Sequence, residues 1–383
     1  MKSSLPSEIM TAARDEQQAM IQFLRRLVTA ESPTSVPESQ AGILSILLEA
    51  LEEIGLKAKL FPGKEFGGHL VAEVPKDNNN RSQQMLIGHC DTVWPIGTIK
   101  SMPFTHEGNV IKGPGAYDMK GGLTQLIFAL KIIHRLGLEM PVRPLVFINS
   151  DEESGSIESR PHIENLAKQV KRVFVLEPSL GLEGKLKTAR KGVGRFNLYV
   201  TGKAAHAGLE PEKGISAVLE LSYLIQKLHA LNDPAKGITV NVGKIEGGLQ
   251  SNVIPPTSRA EIDVRVPSLG DADRIESQIL NLNPQTKGTK ISIQGGINRP
   301  PLERTTKNNE LWKVAREVGQ DLGLDLLSGT AGGGSDGNFT SQYTATLDGL
   351  GVVGDGAHAQ HEFIFIDKMI ERTALMTLLI LAP

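Results

Sequence analysis

The chain has 383 residues, enough for two domains of ordinary size, each with its own core. Charges nearly cancel at a net −2, with 41 Lys and Arg against 43 Asp and Glu, so no basic field points to nucleic acid. The single Cys90 excludes an intrachain disulfide framework. The first residues lack an apolar signal core and no stretch approaches about eighteen apolar residues, so a soluble cytoplasmic protein without a membrane partner is expected.

Residues 7–55 carry helical spacing, with Ile21, Leu24 and Leu27, then Ile43, Ile46, Leu47, Leu51 and Ile54, broken by the turn cluster Glu31–Ser35. Lys57–Phe61 and Leu70–Val74 read as strands, followed by a polar loop, Lys76–Gln84, and a buried strand, Met85–Ile87. That strand runs into Gly88-His89-Cys90-Asp91. Alternate side chains of a strand share a face, so His89 and Asp91 point together and Cys90 points away. An imidazole beside a carboxylate suits metal binding, because the acid takes the second ring N–H and fixes the tautomer. After Pro95 a loop leads to Gly113-Pro114-Gly115-Ala116-Tyr117-Asp118, then to a helix with Leu123, Leu126, Ile127, Leu130 and Ile133 on one face and Gly137 past its end. Asp118 thus precedes a helix N-terminus, where an aspartate commonly serves only as a cap.

Arg143–Asn149 is a continuous apolar run, the pattern of a parallel strand covered on both faces, and it ends in Glu152 and Glu153. Lys171–Leu176 repeats the design and ends on Glu177. Three buried strands therefore deliver His89 and Asp91, Glu152 and Glu153, and Glu177 to their carboxyl ends, where open α/β sheets bind ligands. Any one of these acids could be a solvated loop charge; their convergence is the signal.

Near residue 190 the pattern changes to alternation. Phe196, Leu198 and Val200 share a strand face. A helix carries Val218, Leu221, Leu224, Ile225 and Leu228, and strands follow at Ile238–Val242 and Ala260–Val266. A helix at Ala272–Leu282 and a strand at Lys290–Gln294 complete β-α-β-β-α-β, a ferredoxin-like unit. Residues 188–298 are read as an inserted lid or dimerisation domain, flanked by the two parts of a catalytic domain, 1–187 and 299–383. The second part holds a helix from Leu311, a Gly-rich loop, Gly329–Asn338, read as an anion nest, and a strand near Gly351–Val353. His358 and His361 follow, then an apolar helix at Met369–Leu381.

In order, the motifs GHCDTV, GPGAYDMKGG, DEESGS, LEPS, TGKAAHAG, SNVIPP, DVR, GGGSDGN and GAHAQHE resemble those of the M20 metallopeptidases over nearly the whole chain. Local detail is similar to the folate-cleaving glutamate carboxypeptidases. The resemblance implies an α/β catalytic domain of the dizinc aminopeptidase/carboxypeptidase type with an inserted ferredoxin-like α+β dimerisation domain, in a homodimer. It implies two Zn²⁺ per chain, with Co²⁺ or Mn²⁺ also fitting. His89 and Glu177 would hold one ion, Glu153 and a late histidine the other, and Asp118 would bridge. The family pattern, Gly-Ala-His with Glu four residues on, selects His358 over His361 and leaves Glu362 as the trailing acid.

By the same resemblance Glu152 is the general base and acid, Asp91 the partner of His89, and His206 an oxyanion donor acting on the partner subunit. Asn252, Arg265 and Arg299 grip substrate carboxylates, and Lys185 and the Gly-rich loop add contacts. The implied activity is hydrolysis of an amide to a C-terminal amino acid, glutamate first, in peptide or N-acyl substrates. Tyr117 and Met119 around Asp118 depart toward the deacetylase branch, which keeps an N-acyl-amino-acid deacylase as the alternative. A catalytically silent carboxylate-binding protein on this fold would have lost a ligand or Glu152, and none is missing.

Overall fold

In the computed structural model, which describes residues 4–75 and 82–383, the chain divides into two units. The first comprises residues 1–189, 304–331 and 335–383, and the second residues 190–303 and 332–334. The sequence expectation for the insertion was 188–298; part of the expected polar loop, residues 76–81, lies outside the described residues.

The N-terminal helices are α1 (Leu5–Asp15), α2 (Gln17–Thr29) and α3 (Gln40–Glu53), followed by strands β1 (Lys57–Phe61), β2 (His69–Glu73) and β3 (Gln83–His89). A short helix, α4 (Thr98–Ser101), leads to a small hairpin, β4 (Thr105–Glu107) and β5 (Val110–Lys112), where the sequence showed only loop. Strands of three residues are too short to display a period, which is why they escaped. Then come α5 (Gly121–Arg135), β6 (Arg143–Asn149), α6 (Arg160–Ala167), β7 (Arg172–Val175) and β8 (Leu186–Arg190).

The main sheet has the order β1-β2-β6-β3-β7, with a further edge strand beside β7. Its centre, β6-β3-β7, is parallel and mostly apolar, with Arg143 and Arg172 at the strand starts, because both faces are covered. Leu86, Val146 and Phe174 belong to a core built with α1, α2, α3 and α5, while Met85, Ile87, Leu145, Phe147, Val173 and Val175 join Ile163 and Ala167 of α6 in a second core. The five residues expected on one face of α5 are buried, and the burial extends around the helix. All of it except Lys131, His134 and Arg135 is buried, as suits a helix at the centre of a domain. Each fully buried Leu or Ile there contributes roughly 1.5–3 kcal/mol.

In the second unit β9 (Gly192–Thr201), α7 (Ala217–His229), β10 (Thr239–Gly247), β11 (Thr257–Val266), α8 (Leu269–Leu280) and β12 (Lys290–Arg299) form a sheet of order β10-β11-β9-β12. Both helices begin at serine caps. Ser216 Oγ accepts the Leu219 N–H at 3.1 Å and Ser268 Oγ the Asp271 N–H at 3.1 Å. They pack on one sheet face through Leu221, Leu224, Leu228, Ala272, Ile275 and Ile279. Val218, expected among these, is 40% exposed instead, one position off the buried stripe that starts at Ala217.

The chain returns to the first unit with α9 (Thr306–Asp321), β13 (Ser328–Ala331), which pairs with β8, α10 (Gly337–Thr340) and β14 (Ala345–Leu347). The strand that completes the sheet against β7 is β14. The expected strand at Gly351–Val353 is buried but irregular. Strands β15 (Gly354–Asp355) and β16 (Phe363–Phe365) join the β4-β5 hairpin, and α11 (Ile366–Leu381) closes the core. No helix among the described residues is long and apolar enough to cross a membrane.

Candidate metal centre

The parallel strands β6, β3 and β7 end side by side, so the residues just past them are brought together by register alone. His89 closes β3, Glu152 and Glu153 lie on the turn after β6, and Glu177 follows β7. Asp118 comes from the irregular turn Ala116–Lys120 ahead of α5, at φ −115° and ψ 97°. His358 comes from the loop before β16, with its backbone in the left-handed region at φ 60°.

Asp118 stands between two histidines. Its Oδ1 lies 3.4 Å from His89 Nε2 and its Oδ2 3.5 Å from His358 Nε2. Each imidazole also meets one glutamate, Glu177 Oε1 at 3.4 Å from His89 and Glu153 Oε2 at 3.2 Å from His358. Donor atoms of His89, Glu152 and Glu177 lie within 4.8 Å of one another, as do those of His89, Asp118 and Glu153. The ring in contact with Glu153 and Asp118 is that of His358, not His361.

Asp91 does more than serve His89. The His89 Nδ1 is 3.1 Å from the Asp91 carbonyl oxygen and 3.3 Å from its carboxylate, leaving Nε2 for the cluster. The same carboxylate accepts the N–H groups of Glu152 at 3.2 Å and Glu153 at 3.1 Å, and the Thr34 hydroxyl at 2.7 Å. One buried acid thus orients a candidate ligand and the turn that carries two more. Glu362 is also fully buried and accepts from Gly115, Tyr117, Asp118 and Trp94. Lys187 Nζ lies 3.9 Å from Glu177 Oε2, both side chains being buried. The pairing of Asp91 with His89 was legible in the sequence; the bonds from Thr34, Glu152 and Glu153 to Asp91 and those to Glu362 were not, because they join residues distant in the chain.

Two close approaches set the position of Glu177. A Cβ added to Gly122, on the first turn of α5, would fall on the Leu176 carbonyl oxygen. One added to Gly351 would fall on that same oxygen and lie 2.8 Å from the Glu177 carbonyl.

The residues fit a pair of cations. His89 Nε2 and Asp118 Oδ1 are buried without a hydrogen-bond partner although they face each other, a costly arrangement for two polar atoms unless something binds there. Burial works to raise the Asp118 pKa, but the close imidazoles of His358 and His89 overcome it and hold the carboxyl well below its usual range. His358, bonded first to Asp118 and then to Glu153, is pushed up to about 10. Burial pushes Glu153 up to about 7, against the pull of His358. Burial depresses the His89 pKa, yet contacts with Asp118, Asp91 and Glu177 raise it well above normal. The acids demand positive charge at both imidazoles. Mixed imidazole and carboxylate donors of this kind suit zinc, cobalt or manganese. Cys90 is fully buried in the main core, and burial pushes its thiol pKa up, so it is no ligand.

The remaining expected site residues belong to the second unit. His206 is exposed, its Nδ1 accepting the N–H groups of Gly208 and Leu209, each at 3.2 Å. Asn252 is its neighbour, the Asn252 carbonyl accepting the Ala207 N–H at 2.9 Å. The Arg265 guanidinium is held by Asp263 through two bonds of 2.8 and 2.9 Å, and Arg299 is buried at the end of β12. In the first unit Lys185 pairs with Glu183 at 2.9 Å. Part of the Gly-rich loop, read as an anion nest, is bonded within the protein itself. Its first part is β13, the Ser335 N–H is taken by Asn338 Oδ1 at 2.8 Å, and the Gly337 N–H by Ser335 Oγ at 3.0 Å. Asp336 bonds Ser156 and Asn149, which ties the loop to the turn after β6.

This centre, on a mixed sheet with helices on both faces, is that of a metal-dependent hydrolase. Residues 85–382 match the model of peptidase family M20/M25/M40, and the chain belongs to that family. Carboxypeptidase G2 from Pseudomonas sp. (strain RS-16) is 29% identical over 380 residues, covering 97% of this chain and 90% of its own. Succinyl-diaminopimelate desuccinylase from Helicobacter hepaticus is 27% identical over 376 residues, covering 88% of this chain and 91% of its own. Among solved structures, aminopeptidase PepT from Bacillus cereus superposes with a TM-score of 0.78 at 21% identity, over 95% of this chain and 98% of that one.

Proposed function

We propose that the protein is a dinuclear zinc exopeptidase that hydrolyses the amide bond to a C-terminal amino acid, glutamate being the expected one, in N-acyl or peptide substrates. The placement of Asp118 between two imidazole–carboxylate pairs carries the reading. His89 and Glu177 would hold one ion, Glu153 and His358 the other, with Asp118 shared. When bound, such a pair supplies Lewis acidity and a water ionised near neutral pH.

Glu152 is the acid–base group. It belongs to the same ring of donor atoms as His89 and Glu177, and its backbone is fixed by Asp91. It takes a proton from the attacking water and delivers it to the leaving amine as the C–N bond breaks. His206 would donate a hydrogen bond to the oxygen that gains charge, acting on the partner subunit, and Asn252, Arg265 and Arg299 would recognise substrate carboxylates. For Arg265 this requires exchange of Asp263 for the substrate. A homodimer through the second unit is supported by the β10 edge, where Ile245 is 60% and nearby Leu249 70% exposed. One cysteine in the whole chain supports a cytoplasmic setting.

The name of the carboxypeptidase relative supports the first reading. A second, an N-acyl-amino-acid deacylase, is favoured by the desuccinylase relative and by Tyr117 and Met119 around Asp118.

The test is metal analysis, sedimentation velocity and hydrolysis of pteroyl-glutamate, other N-acyl-glutamates, a dipeptide and N-acetyl-ornithine, on the wild type and Glu152→Ala. The expected result is two ions per chain in both proteins, twice the chain mass, and turnover lowered about 10²–10⁴-fold in the variant. Turnover of N-acetyl-ornithine alone would select the second reading. A variant as active as the wild type, or a protein that takes up no metal, would sink both.

A further inference from the structure

We propose that Glu362 is a positioning residue for Asp118, holding the shared ligand and the two segments beside it in register for metal binding. The inference rests on the dinuclear reading above. Glu362 is 0% exposed. Its Oε1 accepts the Tyr117 N–H at 2.8 Å and the Asp118 N–H at 3.0 Å. Its Oε2 accepts the Gly115 N–H at 2.9 Å and the Trp94 indole N–H at 2.9 Å. A carboxylate has about four lone-pair sites, so Glu362 is saturated and does not itself serve as a ligand.

The identity of the donors decides between plain turn capping and positioning. Asp118 and Met119 leave helical φ/ψ, so no regular helix ladder fixes the Asp118 peptide, and Glu362 takes that place. The three segments it joins each carry a candidate ligand. Trp94 lies five residues after His89, Asp118 is bonded directly, and His358 lies four residues before Glu362 on the same loop. One buried acid therefore sets the distance of Asp118 from both imidazoles. The nearby Lys120, also buried, donates its ammonium to the Ala30 carbonyl at 3.0 Å and supplies positive charge in the same interior.

Glu362→Gln keeps the size but turns one acceptor oxygen into an N–H₂ facing N–H donors. Zn²⁺ titration of the metal-depleted full chain by calorimetry, with kcat and KM measured separately, reads the result. Metal affinity should weaken about 10–100-fold, the range for losing a partner behind a ligand. The circular dichroism spectrum of the metal-depleted protein should be kept, and kcat should fall with KM unchanged. A merely structural role would lower the melting temperature while leaving affinity and kcat at wild-type values, and that outcome overturns the proposal. Trp94→Phe removes a single donor and spares the carboxylate. It should give a smaller loss of affinity in the same direction, and it decides the matter if the Gln variant does not fold, wild-type affinity counting against the inference. A wild-type protein that binds fewer than two ions overturns the dinuclear reading instead, and is recognised before either variant is made.

Discussion

In the first unit five carboxylates, those of Asp91, Asp118, Glu152, Glu153 and Glu177, converge past the ends of buried strands, whereas on the exposed side of the second unit's four-stranded sheet charges pair in water. There Arg259 grips Glu246 across β10 and β11 with two bonds of 2.8 Å, and Lys244 reaches Glu246 at 3.1 Å and Glu261 at 3.4 Å. Both sets look well paired. Their physics differs, because exposed pairs trade water for each other at nearly no gain, while buried acids must find hydrogen bonds or cations. The hydrogen bonds around Asp91 and Glu362 are the response to that demand. Charge on that exposed sheet face keeps a surface solvated, and the converging acids of the first unit build a site.

The contrast can be broken most severely at Asp91. Asp91→Ala removes the acceptor for two backbone N–H groups, a hydroxyl and the His89 ring at once, so zinc affinity measured by calorimetry should fall about 10–100-fold and turnover with it.

A smaller effect is expected at His69, a buried histidine of the first unit away from the metal candidates. Its ring stacks on Phe61 and Phe147 at 5.2 and 5.0 Å and lies 4.5 Å from that of His162. Burial, and then His162, lower its pKa from 6.5 to about 4, with Glu158 opposing. The unfolded chain therefore binds the proton more tightly. This contribution to stability is intact above pH 6.5 and is lost as the pH falls toward 4. His69→Phe should flatten the dependence of melting temperature on pH across that window relative to the wild type; an unchanged slope would refute the assignment.

The smallest effect belongs to the second unit. Arg259→Ala, though it removes a bidentate pair, should leave the melting temperature unchanged within error, and a clear drop would show that the exposed ladder is structural after all.

How far these features were legible in the sequence depends on how local they are. The strands into His89, Glu152 and Glu177 announced themselves as apolar runs ending in chemistry, and the alternation of Phe196, Leu198 and Val200 marked the ferredoxin-like unit. The hairpin at 105–112 and the strand at 345–347 did not, because three residues carry no period. Glu362 was visible only as an acid trailing a histidine. Its burial and its four donors come from Trp94 and the Asp118 turn, more than two hundred residues away, and no spacing rule encodes that. The all-round burial of α5 likewise depends on which elements cover it.

The glycines that touch the Leu176–Glu177 carbonyls give the centre a tolerance of another kind. Gly122 and Gly351 approach that peptide from different elements, so neither can accept even a methyl group without moving it. A change of alanine size at either position would push the main chain of a ligand sideways while leaving every ligating atom chemically intact. Such a variant would keep its full set of donors and still be miscalibrated. The accuracy of the site is stored in two missing side chains as much as in the histidines and acids that are present.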